Sequence, residues 1–367
     1  MFHMPLLKCF VSTGESLDSF TLSSALRASI GGSGLTKVSQ VHGLIIKLGF
    51  GAHSMLAGSL IDAYAKCGSI KSAYQLYKIM IEKDIISCTA LIAAFARFGR
   101  YTKDAFDLFK EVKLMQMRLD DVILCSMLNI CANAASLSVG RQIHAFTLKC
   151  QPSYDVATGN ALIDMYAKSG EVEDATLAFN EMGERNVISW TSLIAGYGKH
   201  GYADKAIALY KKMECHGVKP NNVTFLSLLF GCSHTGLIGE GWKIFNTMVS
   251  KYNISPRAEH CSCIVDLFAR GGQLELAYSL ISEMNIKPSP SLWGSLLGAC
   301  RIYGNMALGE VVGMHLLNIE PEKSATYAVV IPLAQTHTMI FIYLCKGGDV
   351  ILNLAIFEGG KYLARKC

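Results

Sequence analysis

The sequence predicts an all-α protein, built as a solenoid of antiparallel helix pairs. Three observations predict this fold class. A repeat of about 31–35 residues runs along most of the chain, each copy carries two stretches with helical spacing of apolar residues, and no strand-like alternation persists. One helix pair cannot bury its apolar face alone, so neighbouring pairs are expected to stack and share a core.

The first helix of each pair is marked by a nine-residue segment that ends in glycine. It reads LIDAYAKCG, LIAAFARFG, LIDMYAKSG, LIAGYGKHG and IVDLFARGG, starting at residues 60, 91, 162, 193 and 264. More divergent copies start at residues 19, 121 and 222, which gives a super-repeat of about 102 residues. The glycines at 68, 99, 170 and 201 predict helix ends, because glycine readily adopts the left-handed conformation found there.

The second helix of each pair follows within a few residues. Examples are SAYQLYKIM (72–80), KAIALYKKM (205–213) and LAYSLISEM (276–284). In the second of these, Ala206, Leu209, Tyr210 and Met213 recur three and four residues apart. This spacing places them on one face of a helix, which is the face expected to be buried.

Composition excludes several classes of protein. The chain has 367 residues, of which 51% are hydrophobic and 17% charged, so it is not a disordered chain. A net charge of +5 is a weak bias toward anionic partners. The 13 cysteines include no CxxC pair and cannot all pair with one another, so we interpret them as reduced and mostly buried.

The chain ends give little evidence of targeting or membrane insertion. The first 18 residues contain one Lys, no Arg and two acidic residues, which is not a convincing signal or transit peptide. The most apolar stretch, Met339 to Phe357, is interrupted by Lys346, two glycines and Asp349. We therefore expect no membrane span.

Longer phrases of the repeat resemble a known family. VISWTSLIAGYGKHGYADKAIALYKKMECHGVKPN (187–221), VATGNALIDMYAKSGEVEDATLAFNEMGERN (156–186) and QVHGLIIKLGF (40–50) are similar to plant pentatricopeptide repeat proteins. In the PLS subfamily of these proteins, canonical, long and short units alternate. The resemblance implies a right-handed α-solenoid that reads about one RNA base per helical repeat.

The resemblance implies eight units between residues 19 and 289. Long units are 19–53, 121–155 and 222–257; short units are 54–84, 156–186 and 258–289; canonical units are 85–120 and 187–221. Residues 1–18 resemble the end of another unit. Residues 290–330 resemble the E-type extension found in editing factors, and 331–367 stay unassigned. We therefore expect a chain that is truncated or divergent at both ends.

The resemblance also implies which residues read RNA bases. In the family, the fifth and last residues of a unit hydrogen-bond the Watson–Crick edge of one base. The pairs carried over to this chain are Gly58 with Asp84, Thr89 with Asp120, Asn160 with Asn186, Thr191 with Asn221, and Ser262 with Ser289. The second residue packs on the face of the base, a role carried over to Ile86, Ala157 and Ile188.

The family code assigns a base to three of these pairs. Thr89 with Asp120 favours G, Thr191 with Asn221 favours A, and Asn160 with Asn186 favours a pyrimidine. Gly58 departs from the code because it has no side chain, and the two serines are ambiguous. The long-unit pairs, Ser23 with His53, Cys125 with Asp155 and Leu226 with Arg257, receive no base.

A structural alternative applies to each of these polar residues taken singly. Thr, Asn or Asp at the start of a helix is commonly an N-cap or a turn residue. The apolar residues at the second position could equally be ordinary contacts between units. Recurrence of Thr at the fifth position and Asp or Asn at the last position favours the reading role in canonical units.

Catalytic and metal-binding interpretations are weak. The segment EHCSC (259–263) brings His260, Cys261 and Cys263 together, but a deaminase needs HxE and PCxxC, and the chain has neither. His42 and His144 occupy the same position of two long units, and Cys131, Cys232 and Cys300 end equivalent helices, so repeat geometry explains them better. We expect no catalytic residue, no metal and no cofactor.

The leading hypothesis is a single-stranded RNA-binding adaptor of mitochondria or plastids that selects sites for C-to-U editing. A deaminase would act in trans, and multiple organellar RNA editing factors would be partners, as the resemblance implies. The alternatives are a protein-binding helical scaffold and an inactive product of a truncated gene. RNA affinity that falls steeply with salt would favour the first hypothesis. Peptide binding that does not depend on salt would favour the protein-binding scaffold.

Overall fold

The structure is a computed structural model. It describes residues 17–31, 34–51, 53–117, 119–150, 155–283, 288–319, 339–346, 349–358 and 361–365. Nearly all of the partial repeat expected at 1–18, and the end of the extension expected at 320–330, lie outside the described residues. Eighteen α-helices and three β-strands form the described part.

Residues 1–185 belong to one compact unit with ten described helices. In chain order they are α1 (Ser19–Ala28), α2 (Gly34–Lys47), α3 (Ser54–Lys66), α4 (Ile70–Ile79), α5 (Ile85–Phe98), α6 (Thr102–Leu114), α7 (Asp121–Asn133), α8 (Leu137–Cys150), α9 (Val156–Lys168) and α10 (Val172–Glu181). Odd-numbered helices are the first of each pair, and even-numbered helices are the second.

Residues 186–367 belong to a second compact unit. Its helices are α11 (Val187–Lys199), α12 (Ala203–Cys215), α13 (Asn222–Thr235), α14 (Ile238–Ser250), α15 (Ala258–Arg270), α16 (Leu274–Glu283), α17 (Pro290–Tyr303) and α18 (Met306–Ile319). The last two lie where the sequence resembles the extension. The prediction of helix pairs is confirmed over residues 19–319.

Packing within each unit joins successive first helices. From α1 to α9 each first helix contacts the next one, and the same holds from α11 to α17. Second helices also pack against the first helix of the following pair, as α2 does on α3 and α14 on α15. Leu22, Leu56 and Leu91 on successive first helices are completely buried, and each contributes roughly 1.5–3 kcal/mol of hydrophobic stabilisation.

Glycine closes the first helices as the sequence predicts. Gly68, Gly99, Gly170 and Gly201 have φ angles of 84°, 65°, 90° and 79°. These left-handed conformations end the helix and let the chain turn into its partner. Ala135 adopts the same conformation after α7, with φ 48°, where a side chain makes it less favourable.

The C-terminal tail contains a small antiparallel sheet that the sequence analysis does not predict. Its strands are β1 (Met339–Lys346), β2 (Asp349–Glu358) and β3 (Lys361–Arg365), in the order β1-β2-β3. Met339 lies opposite Ile356, and Lys346 opposite Asp349. The apolar stretch considered above as a membrane span therefore lies mainly in β1 and β2. Among the described residues, no helix is long and apolar enough to cross a membrane.

Candidate nucleic-acid interface

The last residue of a predicted unit lies at the N-terminus of the next first helix. There its side chain accepts a hydrogen bond from a backbone N–H of the first helical turn. Asp84 accepts from Ser87 at 2.7 Å, Asp120 from Ile123 at 2.8 Å, Asn186 from Ile188 and Ser189 at 2.9 and 3.1 Å, Asn221 from Thr224 at 3.0 Å, and Ser289 from Leu292 at 3.3 Å. The capping role considered from sequence is therefore present at all five candidate residues.

At Asp120, only one of the two carboxylate oxygens caps the helix. Asp120 caps α7 with Oδ1, while its other oxygen, Oδ2, lies 3.2 Å from the hydroxyl of Thr89. The single proton of that hydroxyl is shared with the carbonyl oxygen of Ile85, which lies 2.7 Å away. Thr89 lies on α5, so this bond joins two neighbouring first helices. The structure thus brings together the fifth and last residues of unit 85–120, although they are 31 residues apart.

The second canonical unit has a different arrangement. The hydroxyl of Thr191 lies 2.7 Å from that of Thr224, and Thr224 donates to Asn221 Oδ1 at 3.1 Å. Thr224 is thus a bridge between the two residues that the sequence pairs. Thr191 is only 7% exposed and Thr224 is completely buried, so this pair of hydroxyls lies just below the protein surface.

Gly58 lies close to Ser87 and Asp84. A Cβ atom at Gly58 would lie 3.1 Å from Ser87 Oγ and 3.6 Å from Asp84 Oδ2. A cavity of about 230 Å³ opens there, lined by Gly58 and Asp84 together with Phe20, Met55 and Ile86. The absence of a side chain at Gly58 therefore permits the close approach of Ser87 and Asp84, at the edge of this cavity.

The remaining candidate residues lie on α9 and α15 and at the N-termini of α11 and α17. Asn160 is half-buried on α9, and Asn186 caps α11 in a reciprocal box with Ser189. Ser262 is half-buried on α15 and bonds back to the carbonyl of Ala258 at 2.8 Å. Ser289 is exposed.

Residues at the second position of a unit are exposed. The side chains of Ile86 and Ile188 are 69% and 54% exposed, and Ala157 is also exposed. The same position of four other units carries exposed apolar residues that the site prediction omitted, namely Phe20, Met55, Val122 and Val223, while unit 258–289 has Glu259 there. Applying the repeat period to every unit would have found them. Within each compact unit, apolar side chains exposed at a fixed period could contact flat, apolar ligand faces.

Two histidine side chains connect neighbouring helices. His42 and His144 each hydrogen-bond the tyrosine 22 residues later, Tyr64 and Tyr166, at 3.1 and 2.8 Å. Burial lowers the pKa of both histidines. These bonds tie the second helix of a long unit to the next first helix, as the repeat interpretation expects.

The EHCSC segment is part of a helix start. His260 is buried; its Nδ1 accepts from the N–H of Arg257, and its Nε2 lies 2.8 Å from the carbonyl of Asn222. Burial raises the pKa of Cys263 to about 12, which keeps the thiol protonated at neutral pH. Within the described ranges, no group of three or more His, Cys, Asp or Glu side chains could hold a metal ion.

The buried cysteines behave as small apolar residues. Cys131, Cys232 and Cys300 are completely buried near the ends of α7, α13 and α17. Burial raises the pKa of these thiols to about 12, 11 and 11. Their position supports the core-packing interpretation.

Comparison with known proteins agrees with this repeat geometry. A model of the PPR repeat matches residues 57–85, 160–187, 223–252 and 259–287, and a model of the PPR repeat family matches 185–234. A pentatricopeptide repeat-containing protein of Arabidopsis thaliana is 53% identical over 325 residues. The chain is a pentatricopeptide repeat protein. That alignment covers 88% of this chain and 58% of the relative.

Other plant pentatricopeptide repeat proteins are similar over the same region. A putative member from Arabidopsis thaliana is 37% identical and is covered to 46% of its length. Another, named as mitochondrial, is 38% identical; the alignment covers 85% of this chain and 50% of that protein. The chain therefore spans about half the length of these curated relatives.

Solved structures share the pentatricopeptide repeat fold. The crystal structure of PPR10 in complex with an 18-nt psaJ RNA element superposes with a TM-score of 0.78 at 18% identity, covering 92% of this chain and 50% of that one. PPR10 from maize superposes with a TM-score of 0.70 at 18% identity, covering 90% of this chain and 49% of that one. At this identity the likeness concerns the fold.

Proposed function

We propose that the chain is a sequence-specific adaptor for single-stranded RNA. The observation that carries the proposal is the hydrogen bond between Thr89 and Asp120. It joins two side chains of neighbouring helices beside the exposed second-position residue Ile86. PPR10, whose fold is similar, was crystallised with RNA, which supports the same function here.

The capping geometry supports different base preferences for Asp and Asn. An Asp cap uses Oδ1 for the helix and keeps Oδ2 as an acceptor, as at Asp120. An acceptor suits the N1–H donor of guanine. An Asn cap uses its only oxygen for the helix, as at Asn221, so its Nδ2 donors suit the N1 acceptor of adenine.

Exposed apolar residues at the second position would contact the faces of the bases. Single-stranded nucleic acids present unstacked bases whose faces are flat and apolar. Ile86 and Ile188 are exposed and lie three residues before Thr89 and Thr191 on the same helices, a spacing that places each isoleucine on the same helix face as its threonine. In this proposal the base faces bind Ile side chains, and the base edges bind the polar pairs.

The test of RNA binding uses the chain with short RNAs of designed sequence. Units 54–84 to 258–289, with the N-terminal unit at the 5′ side, give the pattern N-G-N-Y-A-N-N, where N is unassigned. We expect preferential binding of RNAs with this pattern, and affinity that falls steeply between about 50 and 200 mM salt. Affinity without base preference, or binding of peptides that does not depend on salt, would instead support the protein-scaffold alternative.

We further propose that the recognised RNA is an organellar transcript and that the chain selects a cytidine for C-to-U editing. The resemblance to editing factors, and relatives whose names include mitochondrial, support this role. The deaminase would be a separate protein, and multiple organellar RNA editing factors would be further partners; a plastid location is the alternative to the mitochondrion.

The purified chain is therefore expected to bind cytidine-containing RNA without deaminating it. The physical reason is that a deaminase needs a zinc-bound water and a glutamate in an HxE motif, which this sequence lacks. Plants without the gene should lose conversion of one cytidine downstream of a matching sequence. Deamination by the purified chain, or unchanged organellar editing in such plants, would contradict this role.

A further inference from the structure

Thr224 makes a buried hydroxyl bridge that packing alone does not explain. It is the third residue of α13 and is completely buried. Its Oγ1 lies 2.7 Å from Thr191 Oγ1, donates to Asn221 Oδ1 at 3.1 Å and accepts from the N–H of Asn221 at 3.2 Å. Burying a hydroxyl costs free energy unless it is fully hydrogen-bonded, so each of these contacts matters.

The other canonical unit shows that an apolar residue fits the same place. Ile123 is the third residue of α7 and is also completely buried. There the Thr89 hydroxyl, which also bonds to the Ile85 carbonyl, contacts Asp120 Oδ2 directly at 3.2 Å without a bridging residue. The fold therefore accepts either an apolar or a polar residue at this position. Hydroxyl residues also stand there after Asp caps, at Thr21, Ser87 and Thr158, so a hydroxyl at this position is not confined to Asn caps.

The donors and lone pairs of the Thr224 hydroxyl bear on which of the two threonines donates in the hydrogen bond between them. A hydroxyl has one donor and two lone pairs. Thr224 donates its proton to Asn221 Oδ1 and accepts a hydrogen bond from the Asn221 N–H with one lone pair. While Thr224 donates to Asn221, its remaining lone pair accepts, so Thr191 is then the donor in the 2.7 Å contact; if Thr224 donated to Thr191 instead, its contact with Asn221 Oδ1 would have no proton.

This direction decides what the pair can offer a ligand. With its proton given to Thr224, Thr191 has only lone pairs left and is an acceptor. Asn221 Oδ1 is occupied by both the N–H and the hydroxyl of Thr224, so Asn221 offers its Nδ2 donors. An acceptor beside a donor is complementary to the N6–H donor and N1 acceptor of adenine.

We propose that Thr224 is a positioning residue that sets the hydrogen-bond polarity of the Thr191–Asn221 pair and so gives it its preference for adenine. This inference rests on the proposed function, that the pair reads an RNA base. A carboxylate cap needs no such residue, because both oxygens of Asp120 accept whatever the orientation. Ser189 donates in the same way to Asn186 Oδ1, at 3.2 Å, at the other Asn cap.

The first test compares Thr224→Val with Thr224→Ser, using RNAs that differ only at the nucleotide assigned to unit 187–221. Valine keeps the volume and removes the bridge, so the preference for A over G is expected to fall about threefold to tenfold, the value of one ordinary hydrogen bond. Serine keeps the hydroxyl and should retain the preference. Preference for G at unit 85–120 should be unchanged in both variants.

The second test builds the bridge in the other canonical unit. Asp120→Asn alone should give a weak preference for A at unit 85–120, and Asp120→Asn with Ile123→Thr a stronger one. A purely structural role would change thermal stability in these variants but leave both preference ratios as they were. Equal ratios with and without the hydroxyl, in a protein that does discriminate bases, would overturn the proposal. Loss of all base preference in the unmodified chain would instead overturn the proposed function.

Discussion

Replacing Asn221 with Asp is expected to switch the preferred nucleotide at unit 187–221 from A to G. Asp caps a helix as well as Asn does, so α13 should keep its stability. The exposed part of the cap changes from an amide donor to a carboxylate acceptor, which suits guanine. A well-placed contact to a base edge contributes about 1–3 kcal/mol to discrimination. Affinities for RNAs with A or G at this nucleotide measure the switch.

Two further variants distinguish recognition of an RNA base from capping of a helix. Asp120→Asn should produce a smaller change in the reverse direction at unit 85–120, from G toward a weak preference for A, because the third residue of α7 is Ile123 and has no hydroxyl. Asn221→Ala should remove both the preference and the cap, at a cost of about 1 kcal/mol in unfolding free energy. If Asn221→Asp leaves the A preference intact in a folded protein, these residues are caps and do not read bases.

Replacing Gly198 with Ala is expected to destabilise the second compact unit. A Cβ atom at Gly198 on α11 would lie 2.9 Å from the carbonyl oxygen of Ser227 and 3.4 Å from the Cα of Gly231, both on α13. Backbone atoms cannot move aside as a flexible side chain can, so the two helices must separate. We expect a loss of about 1–3 kcal/mol in unfolding free energy, as is typical of overpacking. Chemical denaturation followed by circular dichroism measures it.

The matched control is Gly294→Ala on α17. A Cβ atom there would meet no described atom within 4 Å. Alanine has the higher helix propensity, so this variant should gain about 0.5–1 kcal/mol. Equal effects at the two glycines would show that the contact between α11 and α13 is not as close as described.

The Gly198 variant also connects packing with base preference. Gly198 lies two helical turns after Thr191 on the same helix, and Thr191 contacts Thr224 on α13. Moving α11 away from α13 would lengthen this hydroxyl contact. The variant should therefore lose part of its preference for A as well as stability, and Gly294→Ala should keep both.

Local signals in the sequence were enough for the helices and their ends. Apolar spacing of three and four residues predicts each helix, and glycine predicts where a first helix stops. The structure places the first helices at residues 19, 54, 85, 121, 156, 187, 222, 258 and 290, each the first residue of a predicted segment. These features depend on residues close together in the chain, and a repeat displays them several times.

In the C-terminal tail, apolar periodicity was insufficient to predict the strands. β1 reads MIFIYLCK and β2 reads DVILNLAIFE, which are short apolar runs without clear alternation. Periodicity does not distinguish such runs from a buried helix, although their β-branched and aromatic residues, and the two glycines between them in the sequence, favour a hairpin. Strand pairing joins residues across a turn and depends on partners that no single segment specifies.

The sequence by itself determined the helix-pair repeat, the helix ends and the residues that could form a polar row. Only the tertiary structure decided that Thr89 bonds directly to Asp120, whereas Thr191 reaches Asn221 through Thr224. It also decided that Gly198 and Gly231 let two helices approach closely. The physical reason is that helix periodicity and caps act within a few residues, whereas these contacts join side chains and backbones about 30 residues apart, whose distances depend on how whole helices pack.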